Sequence, residues 1–294
     1  MTNRPLISVI LPFRQIDLRL RLAIASLVNQ TLGDFEILLC GDGVANVDTR
    51  QFRFLDDRVK LCGSEIWRGL PTRLNECILS ARGKYIARMD SDDISYPERF
   101  AAQVNYLEAN PPLALVGTQV VVFDMQFRAK GGRLSPRTHE EICLCPNGGF
   151  KIAHPTFLGR AEWFRLNRYD PRARRCEDQD LLLRTYRRHR FGNVQQVLLG
   201  YYEDTIALGK LLSSRMHWAQ SVWRVNQGLR GAVTGMSVGA LGVAKFAYES
   251  FATLLSLDPF LLRHRACIIS EEETQRWRRV IQSLQVSVGS YTQV

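Results

Sequence analysis

Residues 83–99 read GKYIARMDSDDISYPER, and the passage from apolar to acidic inside this stretch decides the fold. Residues 85–89 have the length and apolar character of a short buried strand. They run directly into Asp90, Ser91, Asp92 and Asp93, followed by a turn at Pro97. Carboxylates gathered at the end of a buried strand are costly unless something neutralises them. A divalent cation with oxygen ligands does so, and such a cation commonly also carries phosphates. In open α/β sheets, ligands sit beyond the carboxyl ends of the strands. An ordinary acidic turn would use the same letters, because Asp and Ser are common turn residues, so the neighbouring segments have to decide.

Upstream, residues 6–11 (LISVIL) form a nearly continuous apolar run, as a buried parallel strand should, with Pro12 expected to end it. Ile16, Leu20, Ile24 and Leu27 follow at helical spacing, with Arg19 and Arg21 on other faces. Residues 35–40 (FEILLC) read as a second buried strand stopping at Gly41-Asp42-Gly43, with Glu36 as a structural acid at a strand edge. Residues 59–62 give a third short strand, and 69–82 a helix feeding the strand before the acids. Downstream, residues 100–107 read as a helix and 113–123 as a strand, with Gly131-Gly132 marking a hairpin or loop. This alternation predicts a parallel sheet with crossover helices. The second half contains His154-Pro155-Thr156, then Glu177-Asp178-Gln179-Asp180 opening the helical run LLLRTYRRHR; from about residue 208 the chain reads as helices.

The 294 residues, 46% hydrophobic, suffice for a large core, and the net charge of +10 implies attraction to anions such as nucleotides, polyphosphate carriers or phospholipid surfaces. The arginines are dispersed and no nucleic-acid module is legible. Seven scattered cysteines without a second zinc-like pair beside Cys143-x-Cys145 suggest reduced thiols in a cytoplasmic protein. The N-terminus does not resemble a secretory signal.

Six segments, in order, resemble the family-2 glycosyltransferases: SVILPFR (8–14), SLVNQT (26–31), EILLCGDGV (36–44), RGLPTRLNECILSARGKYIARMDSDD (68–93), HPTFLGR (154–160) and CEDQDLLLR (176–184). The resemblance covers residues 7–202 and implies a GT-A fold, an α/β Rossmann-like mixed, mainly parallel sheet flanked by helices. On this reading residues 1–205 are the catalytic domain and 206–294 a helical C-terminal extension. It further implies an inverting transfer of a sugar from a nucleotide-sugar, by default a UDP-sugar, to a hydroxyl acceptor in polysaccharide or lipid-linked glycan assembly. Asp92, with Asp90, would ligate Mn²⁺ or Mg²⁺ on the donor diphosphate; Asp93 is either a second ligand or a turn residue. Pro12, Phe13, Arg14, Asp42, Arg73, Asn75, Asp90 and Ser91 would contact the nucleotide-sugar, although Arg73 also suits a solvated helix face. Where the family has two acids and a Ser in the first turn, this chain has Gly41, Asp42 and Val44, which weakens that part of the match. Asp178 is expected to be the general base, with Glu177 as the alternative, because a sugar hydroxyl needs a carboxylate within hydrogen-bond reach. Asp180 is expected to brace its helix through Arg184, and His154 to contact the acceptor or the diphosphate.

A sugar-phosphate nucleotidyltransferase would also want an acidic metal site, but PFRQIDLR lacks the glycines such enzymes carry after their first strand. Residues 232–247 are apolar, yet Lys245 and Glu249 interrupt them, so the segment reads as a packed or interfacial helix and not a span. With aromatics at Trp218, Trp223, Phe246, Tyr248 and Phe251, and Arg224, Arg230, Arg263, Arg265, Arg276, Arg278 and Arg279, the C-terminal helices suit either a completed core or the inner face of a membrane.

Overall fold

The computed structural model describes residues 4–45, 47, 56–63, 65–203, 208–254 and 267–291. Strands β1 (Ile7–Phe13), β2 (Phe35–Gly41) and β4 (Tyr85–Arg88) are buried at every position. They lie parallel, with Ile7 level with both Phe35 and Tyr85. A strand covered on both faces has no reason to alternate in polarity, which is why these segments are legible as apolar runs. With β3 (Val59–Leu61), β5 (Ile94–Ser95), β6 (Leu113–Phe123), β7 (Ala129–Arg133), β8 (Leu158–Arg160) and β9 (Arg190–Tyr202), they form one mixed sheet. Its order is β3-β2-β1-β4-β8-β6-β9-β5, with β7 beside β6. The half from β3 to β4 is parallel; β8 runs antiparallel to both β4 and β6.

Helices cover both faces. Ile7, Val9, Leu11 and Phe13 pack with Leu20 and Ile24 of α1 (Leu18–Val28). On the same side lie Phe100 and Leu107, at the second and ninth positions of α3 (Arg99–Ala109). Ile10, Leu38 and Cys40 meet Leu74 and Ile78 of α2 (Leu70–Ser80) on the other. Each such side chain withdrawn from water contributes about 1.5–3 kcal/mol. The short α4 (His139–Ile142) and α5 (Ala161–Leu166) lead to α6 (Glu177–Thr185), and the chain ends in α7 (Leu208–Asn226), α8 (Gly228–Leu254) and α9 (Glu271–Tyr291). The last helix docks on the sheet: Trp277 is buried, lies 4.9 Å from the Phe123 ring, and donates its indole N–H to the Phe127 carbonyl at 2.8 Å. It sits directly over Gly200 of β9, where a Cβ would come within 2.3 Å of the indole, so only glycine permits that approach.

Several expectations are corrected. Pro12 does not end β1: the strand continues to Phe13, because proline's missing N–H is tolerable where its neighbour does not need it. Gly131 and Gly132 are inside β7, and the hairpin turn is formed earlier, where Asp124 Oδ1 accepts the N–H groups of Gln126 and Arg128. The run LLLRTYRRHR is helical only to Thr185, and Arg190 already begins β9. Cys40 and Cys77 are not free thiols; β2 and α2 pack face to face and join them as a disulfide, while Cys62, Cys143, Cys145, Cys176 and Cys267 are free. Arg263, Arg265 and the expected boundary at 205/206 lie outside the described residues.

Glu36 is structural but lies on an inner strand, between β1 and β3. Burial alone would raise its pKa. Hydrogen bonds from Lys60 at 2.8 Å, Ser8 at 2.7 Å and Arg82 at 2.9 Å outweigh that and hold it at about 2. A carboxylate depressed in this way stabilises the fold fully above its unfolded pKa, and the contribution is lost as pH falls through the folded value. Glu36→Gln should therefore cost on the order of 2 kcal/mol at neutral pH, discounted for the half-exposed cations. In urea titrations the gap to the wild type should close as pH drops from about 4.5 toward 2.

Candidate active site

Because β1, β2 and β4 run parallel, their carboxyl ends open on one side of the sheet, and a cleft of about 1150 Å³ lies there. Pro12, Phe13 and Arg14 line it from the end of β1, Asp42 from just past β2, and Asp90, Ser91, Asp92 and Asp93 from just past β4. Carboxylate oxygens of the three aspartates lie within 4.8 Å of one another. Arg88, buried at the end of β4, hydrogen-bonds Asp90 Oδ1. Asp93 Oδ1 accepts the Tyr202 N–H at 2.9 Å, tying the far end of β9 to the cluster, while its Oδ2 is buried without a partner. Burial, then the charge of Asp90, raises Asp92 to about 6. Burial and both neighbours raise Asp93 well above the usual carboxylate range. Three clustered carboxyl groups, one with an orphaned buried oxygen, form a hard-oxygen donor set suited to a divalent cation.

Opposite the acids, Asp42 Oδ1 accepts the Arg68 N–H at 2.7 Å and Oδ2 the Gly69 N–H at 3.1 Å, fixing the loop that opens α2. Gly69 sits there at φ +85°, a conformation that favours glycine. Arg73 is buried, not solvated: its Nε meets Asp42 at 3.2 Å, Nη1 meets Glu76 at 2.6 Å, and Nη2 bonds the Ile66 carbonyl. It lines the cleft, and these guanidinium contacts are all to protein.

Three expected residues, Asn75, His154 and Asp178, are not among those lining the cleft. Asn75 does not line the cleft; its amide clamps Tyr169 in both directions, to the carbonyl at 2.8 Å and from the N–H at 2.9 Å. His154 is also outside the lining, buried and bonded to the Tyr169 hydroxyl at 2.9 Å. Burial and the nearby Arg88 charge lower its pKa well below the usual histidine range, so it is a neutral structural imidazole.

The acidic pair opens α6. Glu177 lines the cleft; burial, then the Asp178 charge, raises it to about 7, and its Oε2 is buried without a partner. Asp178 is not among the lining residues. It is half-buried, its Oδ2 accepts the Gln179 amide at 3.0 Å, and burial raises its pKa. Asp180 braces the helix as expected, meeting Arg184 at 2.7 Å. Sequence reasoning missed Arg19, Trp67, Arg174, Arg175, Tyr202 and the α7 residues Lys210, Ser213 and His217, which also line the cleft. Their signal is weak: Arg19 reads as a surface helix residue, yet its guanidinium stacks on Tyr202 at 4.8 Å.

The family model described as glycosyl transferase family 2 matches residues 8–166. The chain belongs to glycosyltransferase family 2. It is 34% identical over 215 residues to the putative glycosyltransferase EpsE of Bacillus subtilis, covering 70% of this chain and 76% of that one. It is 31% identical over 206 residues to the O-antigen biosynthesis glycosyltransferase WbnJ of Escherichia coli, covering 67% and 79%. In fold, this glycosyltransferase resembles S. aureus TarS 1–349, crystallised in complex with UDP, with a TM-score of 0.59 at 15% identity over 95% of this chain and 79% of that one. The sheet and its flanking helices are thus of the GT-A type.

Asp42→Ala would leave the buried Arg73 with Glu76 as its remaining carboxylate and the Arg68 and Gly69 N–H groups without their acceptor. A loss of about 1–3 kcal/mol is expected, read as a lowered denaturation midpoint, with Asp42→Asn milder because it keeps an acceptor for the Arg68 and Gly69 N–H groups.

Proposed function

We propose that this glycosyltransferase is a metal-dependent, inverting enzyme that moves a sugar from a UDP-sugar to a hydroxyl of a glycan or lipid-linked acceptor in cell-surface polysaccharide assembly. The observation that carries this reading is the convergence of Asp90, Asp92 and Asp93 at the end of β4, inside a cleft otherwise rich in cations. Asp92 and Asp90 would hold Mn²⁺ or Mg²⁺, with Asp93 completing the acidic set. Such an ion supplies the positive charge that a departing diphosphate needs. The relatives support the acceptor class: WbnJ is named for O-antigen biosynthesis, and a further relative in E. coli, WfgD, for glucosyl transfer from UDP-Glc to a GlcNAc-diphosphoundecaprenol. TarS has been crystallised with UDP and with UDP-GlcNAc, which supports the donor class.

In the proposed reaction Asp178 takes the acceptor hydroxyl proton. The hydroxyl oxygen attacks the anomeric carbon, the bond to the diphosphate oxygen breaks, and the nucleoside diphosphate leaves with the electron pair. A single displacement inverts the anomeric centre. Asp178 adjoins the cleft-lining Glu177 at the start of α6, and burial raises its pKa, which suits a carboxylate that has to accept a proton. Glu177 then serves as the neighbouring charge on the cleft wall. Pro12, Phe13, Arg14, Ser91 and Asp42 would border the nucleotide-sugar, and Arg19 and Arg68 would add positive charge beside the diphosphate. Among the described residues no helix is long and apolar enough to cross a membrane. We place the enzyme in the cytoplasm, peripheral to the inner membrane face; the Cys40–Cys77 bond is fully buried, away from soluble thiols.

The test is nucleoside diphosphate release from UDP-, dTDP- and GDP-sugars with Mn²⁺, Mg²⁺ or EDTA. Release from a UDP-sugar that EDTA stops and Asp92→Ala abolishes is expected. Asp178→Asn should lower kcat at least 100-fold with KM little changed. In the wild type kcat/KM should fall as pH drops, because a base works only when deprotonated. Loss of this acid limb in Glu177→Gln, with turnover retained in Asp178→Asn, would reassign the base. Release indifferent to EDTA would overturn the metal-dependent mechanism.

A further inference from the structure

Helix α8 is packed by its glycines. A Cβ on Gly235 would meet Trp223 of α7 at 2.8 Å, and one on Gly242 would meet Arg215 at 3.1 Å. Its one acid, Glu249, is buried on that same side and paired with Arg215 at 2.6 Å. The opposite side is apolar and exposed over five turns: Val233, Met236, Leu241, Tyr248 and Phe251 are each at least half exposed, Leu241 at 71%. An apolar face of this extent normally has an occupant. Charge indicates which one. Across α7 and α8 the ionisable residues besides His217 and Tyr248 are Lys210, Arg215, Arg224, Arg230, Lys245 and Glu249. Lys210 lines the cleft, Arg215 is taken by Glu249, and Arg224 lies near Asp170 and Asp180, so the exposed cations left beside the apolar face are Arg230 and Lys245, with the single carboxylate turned inward. A self-associating face or a basic protein partner gains nothing from that balance, whereas an anionic bilayer attracts it.

We propose that the outer face of α8 is the membrane-docking surface of this enzyme and that it lies in the headgroup region of an anionic lipid bilayer. Met236, Leu241 and Phe251 insert, and Arg230 and Lys245 meet lipid phosphates. The consequence for catalysis follows from the shared helix. α7 packs on α8 with one side and gives Lys210, Ser213 and His217 to the cleft wall with another. Docking α8 thus holds the α7 wall of the cleft near the lipid surface, where a lipid-linked acceptor would be presented. This inference rests on the acceptor class proposed above and deepens it, but membrane binding is measurable without turnover.

The experiment is co-sedimentation of the full chain with phosphatidylcholine vesicles with and without phosphatidylglycerol, run beside light scattering and donor hydrolysis in free solution. Binding to the anionic vesicles that weakens with added salt is expected, and the double variant Met236→Asp/Leu241→Asp should bind more than about tenfold more weakly. Both positions are exposed and outside the cleft, so hydrolysis in free solution should be unchanged and reports that the variant is folded. Equal binding by the two proteins, or none by the wild type, would overturn the docking surface. A wild-type dimer that the variant converts to a monomer, without vesicle binding, would assign the face to a second copy of the chain instead. If hydrolysis fails while vesicle binding behaves as expected, the proposed function is wrong and the docking surface stands.

Discussion

Three carboxylates crowded at the end of a buried strand are the constraint on which the rest of this structure depends. Asp90, Asp92 and Asp93 fill three of four consecutive positions, and burial with the charge of neighbouring acids pushes Asp92 and Asp93 toward the neutral state. The fold meets part of the cost with its own groups. Arg88 reaches Asp90 from below, and the Tyr202 N–H bonds Asp93. The orphaned Asp93 oxygen and the orphaned Nε and Nη1 of Arg88 show that the internal compensation is incomplete. An arrangement that a protein alone leaves unsatisfied is suited to a charged ligand.

The scaffold makes that crowding possible. Parallel pairing of β1 with both β2 and β4 brings three strand ends together without any local sequence contact between them. The long β9 then returns beside β6 and ends at the same place. Around this frame the buried Arg73–Asp42 pair sets the opening of α2, and Arg99 braces the acidic strand by donating to the carbonyls of Arg88 at 2.7 Å and Pro155 at 2.9 Å. The catalytic half and the last helix are continuous in packing, through Trp277.

How much of this was legible follows from which forces act locally. Buried parallel strands are apolar throughout, so β1, β2 and β4 could be read from the chain alone, and the acids after β4 stood out against them. β9 could not. Asn193, Gln195 and Gln196 interrupt its apolar pattern, and its register against β6 shifts three times. Asn75, His154 and Arg73 show a different limit. Each is a residue type that binding sites use, but the partners that fix their roles are distant in sequence: Tyr169 for Asn75 and His154, and Asp42 for Arg73. The cleft residues contributed by α7 were illegible for the same reason, since nothing near them in the chain is part of the site.

Calorimetric titration of UDP into the wild type and Asp92→Ala, each with Mn²⁺ and with EDTA, tests most directly whether the aspartate cluster is a metal-borne nucleotide site. Binding by the wild type that requires Mn²⁺ and is lost in Asp92→Ala is the predicted result. UDP binding of equal affinity in EDTA, or in the variant, would contradict it.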